Sequence, residues 1–215
     1  QYISFDVFDT LIKRSVAQPT DIFRLMENAK DSQGQLLPKG FADKRIEAER
    51  AVNREKGKPA TFEEIYDKLQ VEYGGQAQSW KQMELQLEMA GCRPNPACVS
   101  QFNEYLEEGH KIVLISDMYL PSSFIAAMLE KCGIRGYQKL FVSCEYGARK
   151  SDCSLFRAVI AELGIKPWQL LHIGDAKRGD FAKPLSMGIR VKFPVAKDQK
   201  KLCRVPPAVG SESAL

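Results

Sequence analysis

The first dozen residues, Tyr2-Ile3-Ser4-Phe5-Asp6-Val7-Phe8-Asp9-Thr10-Leu11-Ile12, constrain this chain more than any other stretch. An apolar run that stops at an aspartate reads as a buried strand whose carboxyl tip carries Asp6. In open α/β sheets, ligands bind in the crevice outside the carboxyl ends of the strands. A carboxylate placed there can act as a metal ligand, a nucleophile or both. Many strands also end in an Asp that only caps a turn, so the reading depends on whether later strands bring matching groups to the same edge.

The second half of the chain supplies such strands. Ile112-Val113-Leu114-Ile115 is a continuous apolar run of the kind buried on both faces. Leu140-Phe141-Val142 and Leu170-Leu171-His172-Ile173 are two more, and Ile189, Val191 and Phe193 alternate as a last one. Helical patterns separate them, first Phe124, Ile125, Met128 and Leu129, then Leu155, Phe156, Val159, Ile160 and Leu163. This alternation predicts an α/β fold: a Rossmann-like, parallel five-stranded sheet with helices on both faces.

Residues 13–110 read as helices only. Ile22, Met26 and Ala29 keep helical spacing, and the charged segment 41–56 carries a thin stripe of Phe41, Ile46, Ala48 and Val52. Thr61 and Glu64 predict a capping box, with Phe62, Ile65, Tyr66 and Leu69 following at helical period. Trp80, Met83, Leu87 and Ala90 mark another helix, stopped by Gly91 and the Pro94-Asn95-Pro96 breaker; Val99, Phe102 and Leu106 mark the next. The expected plan is a core of residues 1–13 and 110–195, a helical cap at 14–109, and a tail or linker at 196–215. An insertion just after the first strand hangs over Asp6, as a cap over an active site does.

Composition narrows the function. The 31 basic and 27 acidic residues are spread along the chain, without the clustered basic stripe of a nucleic-acid surface. No run approaches the roughly 18 apolar residues of a membrane span. The six cysteines (Cys92, Cys98, Cys132, Cys144, Cys153, Cys203) show no CxxC spacing, so reduced thiols of a cytoplasmic protein are expected rather than zinc or disulfides. The short apolar start, broken by Asp6 and Asp9, is not a signal peptide. With no initiator Met, the chain reads as a domain cut from a longer one.

Four strand ends carry chemistry. The first gives Asp6, the second Ser116-Asp117, and the fourth Gly174-Asp175 with Asp180 beyond it; Arg149-Lys150 opens the helix after the third. Asp6, Asp175 and Asp180 can hold a hard divalent cation, and Mg²⁺ typically takes one or two carboxylates plus waters and phosphate oxygens. The Ser116 hydroxyl and the Lys150 ammonium are what a bound phosphate needs. Backbone N–H groups of the turns add anion contacts.

Together these four segments, in this order, resemble the motifs of the haloacid dehalogenase (HAD) superfamily, whose members are mostly Mg²⁺-dependent phosphatases. The resemblance covers roughly residues 1–195, and the insertion resembles the superfamily's α-helical C1-type cap. Phe5-Asp6-Val7-Phe8-Asp9-Thr10-Leu11 and Ser116-Asp117-Met118-Tyr119-Leu120-Pro121 are similar to a bacterial branch found beside, or fused to, glycosyltransferases of surface-polysaccharide assembly. The resemblance implies that Asp6 attacks phosphorus and forms an aspartyl-phosphate. It implies Mg²⁺ held by Asp6, the carbonyl of Phe8 and Asp175, with Asp180 orienting a metal-bound water or Lys150. Thr10, Ser116, the amide of Asp117 and Lys150 would bind the phosphoryl group, Thr10 also bonding the backbone of the turn. The implied substrate is a phosphorylated small molecule, a sugar phosphate or a phosphorylated glycan or phosphoribosyl intermediate, and the implied partner a glycosyltransferase.

One departure matters. The superfamily's phosphatases carry a second Asp two residues after the nucleophile, as general acid and base; here Phe8 stands there. That help is typically worth roughly 10²–10⁴-fold. Asp9 can take the role through a shifted backbone, or serve only as a turn carboxylate. A cap residue or the leaving group can supply the proton instead. A dehalogenase or phosphonate hydrolase, or a non-catalytic domain of a larger glycosyltransferase, are the alternatives. Register favours Lys150 over Arg149. His172 reads as a sheet histidine rather than a ligand, His110 carries no argument, and solvated helix faces are the default for Arg14, Arg45 and Arg50.

Overall fold

The structure, a computed structural model, describes residues 1–194. The expected tail at 196–215 and Cys203 lie outside the described residues. Strand β1 (Tyr2–Phe5) leads through a short β2 (Ile12–Arg14) into helices α1 (Asp21–Glu27), α2 (Phe41–Lys56), α3 (Phe62–Tyr73) and α4 (Gln76–Gly91). The chain returns by β3 (Cys92–Pro94) to α5 (Pro96–Glu107), β4 (Lys111–Ser116), α6 (Ser122–Lys131) and β5 (Lys139–Val142). A single turn α7 (Ser143–Tyr146), then α8 (Ser154–Leu163), β6 (Leu170–Ile173), α9 (Lys183–Ser186) and β7 (Arg190–Lys192) complete it.

Five strands form one parallel sheet in the order β5-β4-β1-β6-β7, so β1 lies at its centre. Side chains alternate across a strand, and β4 divides accordingly. Ile112 and Leu114 join the core of α5, α6 and the cap, whereas Val113 and Ile115 join Phe141, Leu155, Phe156 and Val159 beneath α8. Both faces are covered, which is why Ile112–Ile115 is an unbroken apolar run. The cap helices extend that first cluster: Trp80 meets Phe41 and Tyr73 edge to face, each at 5.2 Å. Burying such an aromatic contributes about 1.5–3 kcal/mol. The Thr61–Glu64 capping box is present, Thr61 Oγ1 accepting from Glu64 N–H and Glu64 Oε2 from Thr61 N–H.

The helix-only reading of 13–110 needs correction. Ile12–Arg14 pairs antiparallel with Cys92–Pro94, placing the chain's entry into the cap beside its exit. Three-residue strands are too short to show a period of two, and Pro94 sits at an edge where its missing N–H costs nothing. Arg45 is a second correction: it is fully buried rather than on a solvated face, because Glu84 from α4 pairs with it. Arg50 is exposed. The five described cysteines are free and buried. Among the described residues no helix is long and apolar enough to cross a membrane.

Candidate active site

Asp6 follows β1 directly, and its N–H donates to Ile173 O at 2.8 Å, carrying the parallel pairing one residue past the strand. This sets its carboxylate at the carboxyl edge of the sheet's central strand. The chain then turns sharply: the N–H groups of Leu11 and Ile12 both donate to Val7 O at 2.9 Å, and Asp9 N–H to Ile12 O at 2.7 Å. Val7, Leu11 and Ile12 anchor the turn in the core. Asp9 takes a left-handed φ of 62°, a conformation that Asp and Asn adopt more readily than other non-glycine residues.

Above this edge lies a cavity of about 540 Å³ between the core and the cap. Asp6, Phe8, Asp9, Ser116 and Asp117 line it, as do Lys150, Asp175 and Asp180. Thr10 does not; buried behind the turn, its Oγ1 donates to Asp175 Oδ1 at 3.4 Å. Oxygens of Asp6, Asp175 and Asp180 lie within 4.8 Å of one another.

Lys150 ties these groups together. Its Nζ lies 2.6 Å from Asp6 Oδ1 and 2.5 Å from Asp180 Oδ1, with all three side chains buried. Its position is fixed from behind, since Asp117 accepts the Lys150 N–H on both oxygens at 3.0 and 3.2 Å. The neighbouring Arg149 points to the cap instead, donating to Gly57 O and to Asn53 Oδ1, each at 3.2 Å. Ser116 ends β4, and Ser143 Oγ braces the loop after it by accepting from Met118 N–H at 2.9 Å.

Asp180 is oriented by groups that sequence reasoning did not find. His172 Nε2 lies 3.2 Å from Asp180 Oδ1, and the other ring nitrogen meets Ser4 Oγ at 2.8 Å. Ser4 and His172 are register partners on β1 and β6, so only the strand pairing reveals this relay. His172 thus sits in the sheet and holds Asp180. Ala176 N–H bonds the second Asp180 oxygen at 3.0 Å. Gly174 is required by the same packing, because a Cβ there would lie 2.5 Å from Asp180 Cβ and Cγ.

Charge follows geometry. Burial pushes the Asp6 carboxyl up to about 7, against the pull of Lys150. Burial also works against ionised Asp180, but hydrogen bonds from His172 and Lys150 outweigh it and hold that carboxyl well below its usual range. Burial would lower Lys150, yet Asp6 and Asp180 hold it above the ordinary lysine value. Burial, with Asp180 beside it, raises Asp175.

Phe8 and Asp9 separate. The Phe8 ring lies under the Arg14 guanidinium at 4.1 Å, whereas the Asp9 side chain is 56% exposed and 3.8 Å from Arg14 Nη1. Arg14 is not on a solvated face; its side chain is 8% exposed and its Nε pairs with buried Glu88 at 3.4 Å. Burial raises Glu88, and Arg14 opposes that rise.

No protein-family model and no curated protein matches the chain. Solved structures do. A HAD-family enzyme from Bacteroides thetaiotaomicron, in complex with magnesium and inorganic phosphate, superposes with a TM-score of 0.62 at 14% identity, over 95% of this chain and 99% of that one. A 2-haloacid dehalogenase from Pseudomonas syringae pv. tomato DC3000 gives 0.61 at 17% identity, over 94% and 91%. A predicted phosphoglycolate phosphatase from Haemophilus somnus 129PT gives 0.57 at 16% identity, over 88% and 82%. The chain therefore has the HAD-like α/β fold, with helical segments that form a cap, an architecture found in hydrolases of both phosphate esters and haloacids.

Proposed function

We propose that this protein is a Mg²⁺-dependent phosphomonoesterase that works through Asp6. The observation that carries the reading is Lys150 in contact with both Asp6 and Asp180, beside a cluster of three carboxylates. Asp6, Asp175 and Asp180 are an oxygen-only donor set suited to a hard cation, with the Phe8 carbonyl as a further ligand. Three carboxylates against one ammonium leave an excess of negative charge that a divalent cation balances. When bound, Mg²⁺ supplies positive charge that offsets repulsion between an anionic nucleophile and an anionic ester.

The residues then divide the work. An Asp6 oxygen attacks phosphorus, forming an aspartyl-phosphate as the P–O bond to the leaving alcohol breaks. Ser116, the Asp117 amide and Lys150 hold the phosphoryl oxygens and spread their charge. Asp9 gives a proton to the departing oxygen, then takes one from the water that attacks phosphorus. Breaking the bond to Asp6 releases inorganic phosphate and restores both carboxyl groups. A sugar phosphate or phosphorylated glycan end as substrate, a cytoplasmic location and action with a glycosyltransferase complete the proposal; the sequence resemblance supports them.

The test is phosphate release from a panel of phosphate esters, with Mg²⁺, with EDTA, and with Asp6→Asn. Activity that survives the chelator or the substitution sinks the proposal. A dehalogenase reading is favoured by one observation, the Phe8 ring covered by Arg14 where an acid would be needed. Chloride release from 2-chloropropionate that is indifferent to EDTA would establish it.

A further inference from the structure

The phosphoryl chemistry leaves several cavity-lining side chains unused, Thr20, Glu49 and Asn53 among them. Glu49 and Asn53 stand one turn apart on α2, at i and i+4, and both line the cavity that holds Asp6. Such positions place their Cβ atoms about 5–6 Å apart on one face.

Each is oriented by what lies behind it. Glu49 Oε2 accepts from Arg45 Nη1 at 3.1 Å, while Arg45 Nε and Nη2 are taken by Glu84 at 2.8 Å each. The Arg45 guanidinium is further clamped between the Phe23 and Tyr119 rings, at 4.5 and 4.6 Å. Glu49 is thus pinned by one oxygen, and Oε1 has no partner among the described residues. Asn53 Oδ1 accepts from Ala60 N–H at 2.9 Å and from Arg149 Nη2 at 3.2 Å. Both partners only donate, so the amide has one admissible orientation, and its Nδ2 with two N–H donors is the end left for the cavity.

The α2 side of the cavity therefore offers a fixed acceptor beside a fixed donor. A hydroxyl donates and accepts at once, so two adjacent hydroxyls match the pair in full. Arg14 and Arg149 also line the cavity, but Glu88 and Asp9 stand against the first and the second is spent on Gly57 O and Asn53 Oδ1, so a second phosphate or a carboxylate would meet the unpaired Glu49 oxygen. An ammonium would satisfy Glu49 but oppose the Asn53 donors. An apolar group would strip water from both and leave them unpaired. A cavity of about 540 Å³ is in the range that small-molecule sites occupy.

We infer that Glu49 and Asn53 are specificity-determining residues that read adjacent hydroxyls on the leaving group, so that the substrate is the phosphate ester of a sugar or other polyol. This rests on the phosphomonoesterase reading. The test compares hydrolysis of hexose and pentose phosphates with that of p-nitrophenyl phosphate and phosphoethanolamine, all with Mg²⁺. The variants are Glu49→Gln and Asn53→Asp, which keep the acceptors used by Arg45, Ala60 and Arg149 but reverse the groups offered to the cavity. Each is expected to lower the ratio of kcat/KM for the polyol esters over p-nitrophenyl phosphate by about tenfold. Arg50→Ala, on exposed α2 surface, is expected to leave that ratio alone. A ratio unmoved in both variants overturns the inference while leaving the phosphatase reading in place. Binding of a hexose phosphate to Asp6→Asn, measured by calorimetry, covers the other case. Tight binding without turnover by the native protein would overturn the phosphatase reading and keep polyol recognition; absent binding and absent turnover overturn both.

Discussion

Arg45 and Glu84 form a two-pronged ion pair wholly inside the cap, with both N···O distances at 2.8 Å and neither side chain exposed. Tyr66 Oη adds a third donor to Glu84 at 2.6 Å. The pair joins α2 to α4, and through Tyr119 it touches the loop that follows Ser116. Removing one partner of such a pair leaves a buried charge uncompensated and typically costs about 3–5 kcal/mol. Arg45→Met is therefore expected to destabilise the protein by about that amount in urea unfolding. Arg45→Met with Glu84→Leu should recover most of the loss, because the orphaned carboxylate is gone. A double variant no more stable than the single one would refute this account.

The carboxylate cluster makes a second prediction, independent of turnover. A ligand that binds only the folded state at about 100 times its Kd adds about 2.7 kcal/mol of stability. For a chain of this size, that is roughly a 5–10 °C rise in Tm. Mg²⁺ is expected to raise the Tm of the native protein on this scale, reversibly with EDTA. Asp175 is the least buried carboxylate of the cluster, and an amide there still accepts from Thr10, so Asp175→Asn should fold as well as the native chain yet lose the response. A full Mg²⁺ shift in that variant would remove Asp175 from the metal site.

Much of this is legible in the sequence. Long apolar runs such as Ile112–Ile115 and turn markers such as Gly174 carry local signals, so the strand–helix alternation and the strand-end carboxylates could be read directly. Pairings between distant residues could not. Ser4 with His172 depends on strand register, Arg45 with Glu84 on how two cap helices cross, and Arg149 with Asn53 on how the cap meets the core. Each looks ordinary in its own segment: a serine in a strand, an arginine on a charged helix. The ribbon of Ile12–Arg14 with Cys92–Pro94 was missed because three residues are too few to display a period.

The Ser4–His172–Asp180 relay has a pH signature. Burial, chiefly, lowers the pKa of His172, with Asp180 opposing. The unfolded chain takes a proton near pH 6.5 that the folded one refuses. The contribution of His172 is therefore complete above that pH and is lost as pH falls below it, by up to about 1.4 kcal/mol per pH unit. Asp6 works in the opposite sense: its folded carboxyl, raised to about 7, takes up a proton as pH falls and gains stability. The comparison that isolates the imidazole is native against His172→Gln, both in EDTA, between pH 7.5 and 5.5. The native protein is expected to lose more stability over this range than the variant. Parallel curves would mean that His172 titrates alike in both states.

In the proposed mechanism the acid–base step falls to Asp9. Phe8 cannot move a proton, and its ring is covered by Arg14. Asp9 lines the cavity, and its left-handed backbone is one that Asn tolerates equally, so Asp9→Asn should fold normally. An alkyl ester needs a proton on its departing oxygen, whereas p-nitrophenolate leaves without one. If Asp9 supplies that proton, Asp9→Asn should slow release from alkyl esters roughly 10²-fold while slowing formation of the aspartyl-phosphate from p-nitrophenyl phosphate far less. Single-turnover measurement of the first step separates this from any loss in the second, where Asp9 takes the proton from water. Equal slowing of both esters in the first step would mean that Asp9 merely shapes the turn, and that the proton comes from the substrate or the cap.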